Sequence, residues 1–233
     1  MKICVVSLPG INPGKHNLKD PRLDQVHKIT GSKKETYIQV EVVTDEDILD
    51  AEGVLSASDS KQDLILKDLE FVETRLSRAE NEAEKILLNK LKTLLEKEEF
   101  IFKSELSEEE RRLLSGYGMI TVKPVSLAGS GETEDSNALL VKAFGESGYI
   151  SFFTTGEKET RAWAVRKGTS AWEAAGAIHS DIQRGFIRAE IISLNDFIAC
   201  GGENKAKQAG KLRLEQKDYI MQDGDLANFR FNK

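Results

Sequence analysis

The sequence predicts an α+β fold, with strand-like runs at both ends and a long helical stretch between them. Three observations carry this. KICVVSL (2–8) is a β-branched run of the kind buried in a sheet. Residues 61–99 hold an apolar period that alternates steps of four and three. After Tyr149, the runs YISFFTT, ETRAWAV and RAEII surround one helical stretch, SAWEAAGAIHSDIQRGF, which in about 85 residues makes a compact α+β module.

In chain order, DPRLDQVHKI (20–29) reads as a turn entering a short helix, with Pro21 in the tolerated first turn. TYIQVEVV (36–43) is a second strand. In 61–99 the seam Ile65, Leu69, Val72, Leu76, Ala79, Ala83 and Ile86 slips to Leu87, Leu91 and Leu94 near SRAENEAE. That slip predicts a hairpin of two antiparallel helices, with one bent helix as the rival. Its charges, Glu70, Glu73, Arg75, Arg78, Glu80 and Glu84 among them, read as a solvated face. Ser107 and Glu110 form a capping-box pattern for LSEEERRLL, which stops at Gly116 and Gly118. MITVKPVSLAG (119–129) reads as strand, SGETEDSN as loop and ALLVKAFG (138–145) as a short helix. Ser170 is an N-cap candidate, and DYIMQDGDLANFRF has the look of a hairpin turning at Asp223–Gly224.

Composition narrows the function classes. The chain has 233 residues, 39% of them apolar, and a net charge of −6, which argues against a nucleic-acid coat protein. The charge is uneven: residues 150–233 hold 13 Lys/Arg against 11 Asp/Glu, the rest 20 against 28. A mildly basic end on an acidic body is compatible with RNA contact. Cys4 and Cys200 lack metal-type spacing and read as unpaired thiols of a reducing compartment. No apolar run approaches the ~20 residues that cross a bilayer, so a cytoplasmic protein with no membrane partner is expected.

Residues 152–198, FFTTGEKETRAWAVRKGTSAWEAAGAIHSDIQRGFIRAEIISLNDFI, with 209–231 after them, resemble the C-terminal region of YchF, the Obg-like ATPase family. The resemblance implies a TGS domain, a ubiquitin-like β-grasp fold, over 149–233. KQDLILKDLEFVETRL resembles the family's entry into its helical coiled-coil domain, placed here at 61–99. DEDILDAEG, DPRLDQVHKI and VKPVSLAGSGE resemble pieces of its nucleotide-binding domain. Residues 1–60 and 100–148 are thus expected to be a reduced α/β remnant of a P-loop G domain.

Such a domain needs G-x-x-x-x-G-K-[ST], whose amides wrap the phosphates, whose Lys neutralises them and whose hydroxyl holds Mg²⁺ at a helix start. VVSLPGINPGKHN (5–17) offers Gly10, Gly14 and Lys15, one residue short between the glycines. Pro13 removes an amide, and His16 stands at the hydroxyl position. Pro21, six residues past Lys15, leaves little room for the family's long helix. Asp50 to Gly53 spells DxxG but lies beyond the switch region. The adenine-reading NxxE appears as Gly129 to Glu132, with Glu132 kept and the Asn replaced by glycine.

The resemblance implies ATPase or GTPase activity, but these losses predict no hydrolysis, no catalytic or metal-binding residues and no cofactor. The alternative is a degenerate site at Gly10, Gly14, Lys15 and Glu132 with weak residual binding or hydrolysis of Mg-ATP or GTP. His179 reads as a structural histidine, and His16 and His27 lack ligand partners.

The expected role is therefore binding: a regulatory or translation-associated protein contacting RNA, the ribosome or a protein. Arg161, Arg166, Lys167, Arg184, Arg188, Lys211 and Arg213 are the candidate contacts, with Trp163, Trp172 and Phe186 as stacking platforms. The competing reading makes the aromatics core and the cations scattered surface. The helical hairpin is a second candidate surface, for a protein partner or self-association.

Overall fold

A computed structural model describes residues 1–129 and 135–232. The chain opens with β1 (Lys2–Val6), β2 (Gly14–Leu18), α1 (Pro21–Thr30), β3 (Glu35–Thr36), β4 (Ile38–Val43) and β5 (Gly53–Ala57). Helices α2 (Lys61–Leu76), α3 (Glu82–Glu96) and α4 (Glu108–Leu114) follow, then β6 (Val125–Ala128) and α5 (Ser136–Glu146). The last part runs β7 (Tyr149–Thr154), β8 (Thr160–Arg166), α6 (Ala171–Ile178), α7 (Ser180–Arg184) and β9 (Phe186–Ser193). It ends with α8 (Leu194–Cys200), α9 (Glu203–Gln208), β10 (Arg213–Glu215) and β11 (Asp225–Phe231).

Two compact units result: Met1–His16 with Val40–Ser147, and Asn17–Gln39 with Gly148–Lys233. The division differs from the boundaries expected above, because 17–39 joins the C-terminal residues.

The first unit is built on a sheet of order β2-β4-β1-β5-β6, in which β1 runs parallel to β4 and β5, and β5 to β6. Cys4, Val54 and Val125 share one apolar cluster with Val72, Leu88, Leu91 and Leu95 of the helical arm. Helix α5 packs on β5 and β6 through buried Leu139, Leu140, Ala143 and Phe144. Gly53 has no room for a side chain, because a Cβ there would overlap the Ser147 hydroxyl.

The arm is two helices, not one bent helix. Asn81 caps α3 by accepting from the Ala83 and Glu84 amides. Lys92 meets Glu73 at 2.7 Å and Arg75 meets Glu84 at 2.6 Å, so the helices run antiparallel. The turn at 77–81 resets the register: Leu87 and Leu91 of the slipped seam are buried together with Leu88 and Leu95, whereas Ile86 is 64% exposed and Leu94 is only half-buried. Glu84 leaves the expected solvated face as well. It is buried and accepts from Arg75 and from the Tyr117 hydroxyl.

The predicted strand at 119–129 shortens to Val125–Ala128, because Asp68 of α2 captures the Ile120 and Thr121 amides at 2.9 and 2.6 Å.

The second unit holds a sheet of order β10-β9-β11-β7-β8-β3. Central β11 pairs parallel with β7 and antiparallel with β9, while β7 and β8 form an antiparallel pair. Helix α6, closed by the Ser170–Glu173 capping box, covers one face with Ala171, Ala174 and Ala175 against Phe152, Ala189, Ile191 and Phe229. The expected single helix breaks at His179, whose extended backbone ends α6 and whose Nδ1 accepts the Asp181 amide to start α7. Asp223–Gly224 is a turn into β11 rather than a hairpin, since Ile220 makes only an isolated bridge to Ser170.

Helix α1 packs on β8 and α8. Asp20 caps it and Gly31 ends it in the left-handed region open to glycine. The Ser32 hydroxyl donates to Thr160 at 2.9 Å and His27 Nδ1 meets Ser32 at 2.9 Å, which fixes the exit of α1 on β8.

Candidate functional site

The phosphate-loop position lies where β1 runs out. The Gly10 and Ile11 amides both turn back to the Leu8 carbonyl, at 3.0 and 3.4 Å, so they are spent within the loop. Gly14, at a φ of +126°, then opens β2 directly. Lys15 is exposed on that strand, and His16 Nε2 meets the Asn12 carbonyl at 2.7 Å. Helix α5 touches this loop, Ser136 donating to the Gly10 carbonyl at 3.3 Å, but its first turn is already capped by the Asp135 carboxylate. The Gly10, Ile11 and Asn137 amides are thus already taken by protein acceptors and are not offered to an anion.

Of the other nucleotide-site candidates, Glu132 lies outside the described residues. The Asp50–Gly53 letters form the turn into β5, with the Asp50 amide donating to Asp47. Among the described residues no three His, Cys, Asp or Glu side chains gather to hold a metal, and no helix is long and apolar enough to cross a membrane. Cys4 and Cys200 are unpaired. Burial, reinforced by Asp45, pushes the Cys4 thiol up to about 11 and makes it a poor nucleophile.

The structure sorts the seven basic candidates of the second unit. Arg184 pairs with Asp181 at 2.5 Å and Lys211 with Asp196 at 3.1 Å. Arg213 donates to the Tyr219 hydroxyl at 3.0 Å, and that hydroxyl donates to Asp225, so this guanidinium belongs to a small structural network. Burial raises the Tyr219 and Asp225 pKa values, with their mutual hydrogen bond raising the first and opposing the rise of the second. Arg161 lies 4.0 Å over the Trp163 ring and Arg166 4.2 Å over Tyr149. Lys167 and Arg188 are exposed with no partner among the described residues.

The aromatic candidates divide in the same way. Trp163 stacks on Phe152 and donates to Thr154, and Phe186 packs on Phe229, whereas Trp172 is 44% exposed. Two polar residues escaped notice in the sequence. Arg22 binds both Asp20 and Asp223, and Arg230 stands directly across from Arg188 between β11 and β9. Alternation along β11 could have placed Arg230 on the face of the sheet turned away from α6, but only the register supplies its neighbour.

A sheet carrying a helical arm, followed by a mixed sheet with a helix across it, defines a mixed α/β protein of two sheets. Residues 149–232 match the family YchF-GTPase_C, described as "Protein of unknown function (DUF933)". A Bacillus subtilis relative, "Ribosome-binding ATPase YchF", is 32% identical over 83% of this chain and 72% of its own. One of the same name from Haemophilus influenzae is 60% identical over 82 residues, 35% of this chain and 23% of its own. The solved structure of the Schizosaccharomyces pombe YchF GTPase superposes with a TM-score of 0.75 at 19% identity, covering 99% of this chain and 97% of that one. The chain belongs to the YchF family.

Proposed function

We propose that this chain is a ribosome-binding member of the YchF family that does not hydrolyse ATP or GTP, acting as a regulatory or translation-associated protein. The ribosome enters from the names of the relatives, "Ribosome-binding ATPase YchF". The observation that carries the loss of hydrolysis is the loop after β1, whose Gly10 and Ile11 amides close on Leu8 before the chain continues as a strand. Phosphoryl transfer depends on positioned charge and a held magnesium ion. The residues here do not fit a magnesium-bound triphosphate, since imidazole replaces the hydroxyl and the Gly10 and Ile11 amides are spent on Leu8.

The second unit is read as the TGS module, supported by a helix laid across a sheet whose central strand pairs parallel with its first. It is the proposed ribosome contact, and the helical arm at 61–99 is the proposed surface for a protein partner or a second copy. A reading with weak residual nucleotide binding keeps one observation in its favour: Lys15 is exposed without a partner among the described residues.

Pelleting with purified bacterial ribosomes through a sucrose cushion tests the proposal. The chain is expected in the ribosome pellet to the same extent with and without Mg-ATP. Absence from the pellet, or a strict need for ATP, contradicts it.

A further inference from the structure

Helix α6 covers one face of the six-stranded sheet, and α1 and α8 pack against the other, where Phe153, Ile192 and Leu226 are buried, while Arg188 and Arg230 at its end stay exposed. Alternation puts Ala189, Ile191, Ala227 and Phe229 under α6, so Arg188, Glu190, Asn228 and Arg230 share the opposite face. There Arg188 and Arg230 are direct cross-strand partners. Like charges placed opposite each other destabilise a sheet, and the one carboxylate beside them serves Arg230 alone. Glu190, 9% exposed, accepts from Arg230 at 2.9 Å and from Asn228 at 3.2 Å through the same oxygen. Arg188 is left exposed with no partner among the described residues. The register shifts just after Arg230, a bulge that twists the strand end.

We infer that this open end of the sheet, centred on Arg188 and Arg230, is the surface on which the second unit takes the phosphodiester backbone of ribosomal RNA. The inference rests on the ribosome-binding reading and names the chemistry of that contact. Guanidinium forks suit phosphate oxygens. A phosphate beside Arg188 supplies the negative charge that Glu190 gives to Arg230 alone. Charge complementarity extends to the whole unit, which holds 18 Lys/Arg against 14 Asp/Glu, while the first unit holds 15 against 25. An acidic protein segment is the other occupant, and the test separates it.

Affinity of the full chain is measured for bacterial ribosomes and for the RNA extracted from them, at two salt concentrations. Arg188→Glu is expected to weaken both at least tenfold and to flatten the salt dependence. Arg188→Lys should stay within about threefold of the unsubstituted chain, since a point charge still meets a phosphate. Lys217→Glu, between β10 and β11 on the α6 side where its carbonyl accepts the Trp172 amide, is the control and should change little. The inference is overturned if Arg188→Glu binds as well as the unsubstituted chain. It is also overturned if Lys217→Glu does equal harm, which reports net charge alone. Loss on ribosomes without loss on free RNA gives the face to a ribosomal protein and overturns the RNA assignment. Failure of the unsubstituted chain to bind ribosomes at all removes the ribosome-binding reading itself, and this inference with it. Circular dichroism of each variant excludes misfolding as the cause of a loss.

Discussion

Arg22 and Asp223, 201 positions apart, form an ion pair at 2.6 Å that ties α1 to the turn before β11. Asp223 also accepts the Ser151 amide at 2.9 Å, and Arg22 lies over the Phe153 ring. Hydrogen bonds to Asp20 and Asp223 outweigh burial and raise the Arg22 pKa. The pair is half open to solvent, so its coupling is expected at about 1 kcal/mol. A double-mutant cycle of Arg22→Ala and Asp223→Ala, read by urea unfolding, measures it. Additive single changes would mean that α1 is held by packing alone.

Asp68 should prove hard to replace. Its two oxygens accept two backbone amides, so Asp68→Asn turns an NH₂ toward an N–H donor. A loss of about 1–3 kcal/mol is expected from the unsatisfied group, read from urea midpoints. Burial raises the Asp68 pKa against the pull of those amides. With a folded value above the unfolded one, its stabilising contribution is full below the ordinary 3.8 and is lost as pH rises through the folded value.

Glu84 has the opposite sign. Arg75, then Tyr117, hold its pKa below the ordinary 4.5. Its contribution to the arm is therefore present above that value and is lost as pH falls through the lowered one. The melting temperature of Glu84→Gln should lie below that of the unsubstituted chain at pH 7 and converge with it in acid. A gap that persists unchanged at low pH would remove the ion pair as the cause.

Gly185 lies where a Cβ would overlap the Asn232 carbonyl, whose residue also donates its amide back to Gly185. Gly185→Ala should push the end of β11 away and cost about 1–3 kcal/mol by overpacking. Faster hydrogen exchange at the end of β11, with the arm unchanged, is the expected signature.

Much of this was legible because it is local. The capping boxes at Ser107 and Ser170, the Asp20–Pro21 helix start and the β-branched strands depend on neighbours a few positions away. The errors are long-range. Asp68 shortens β6 by taking amides 52 and 53 positions on. Ile86 fits the heptad on paper, but the turn at 77–81 rotates the second helix. The Asp223–Gly224 hairpin signal was genuine turn chemistry with the wrong partner, since β11 finds β7 and β9 instead. The basic candidates could be enumerated from the sequence. Which of them face a carboxylate, an aromatic ring or open solvent depends on register and on side chains such as Asp196 and Asp225.

Phosphate release tests the central claim most directly. With ribosomes and saturating Mg-ATP or Mg-GTP, the chain is predicted to release phosphate no faster than ribosomes alone, and Lys15→Ala is predicted to change nothing. Steady turnover above that background, abolished by Lys15→Ala, would contradict the account.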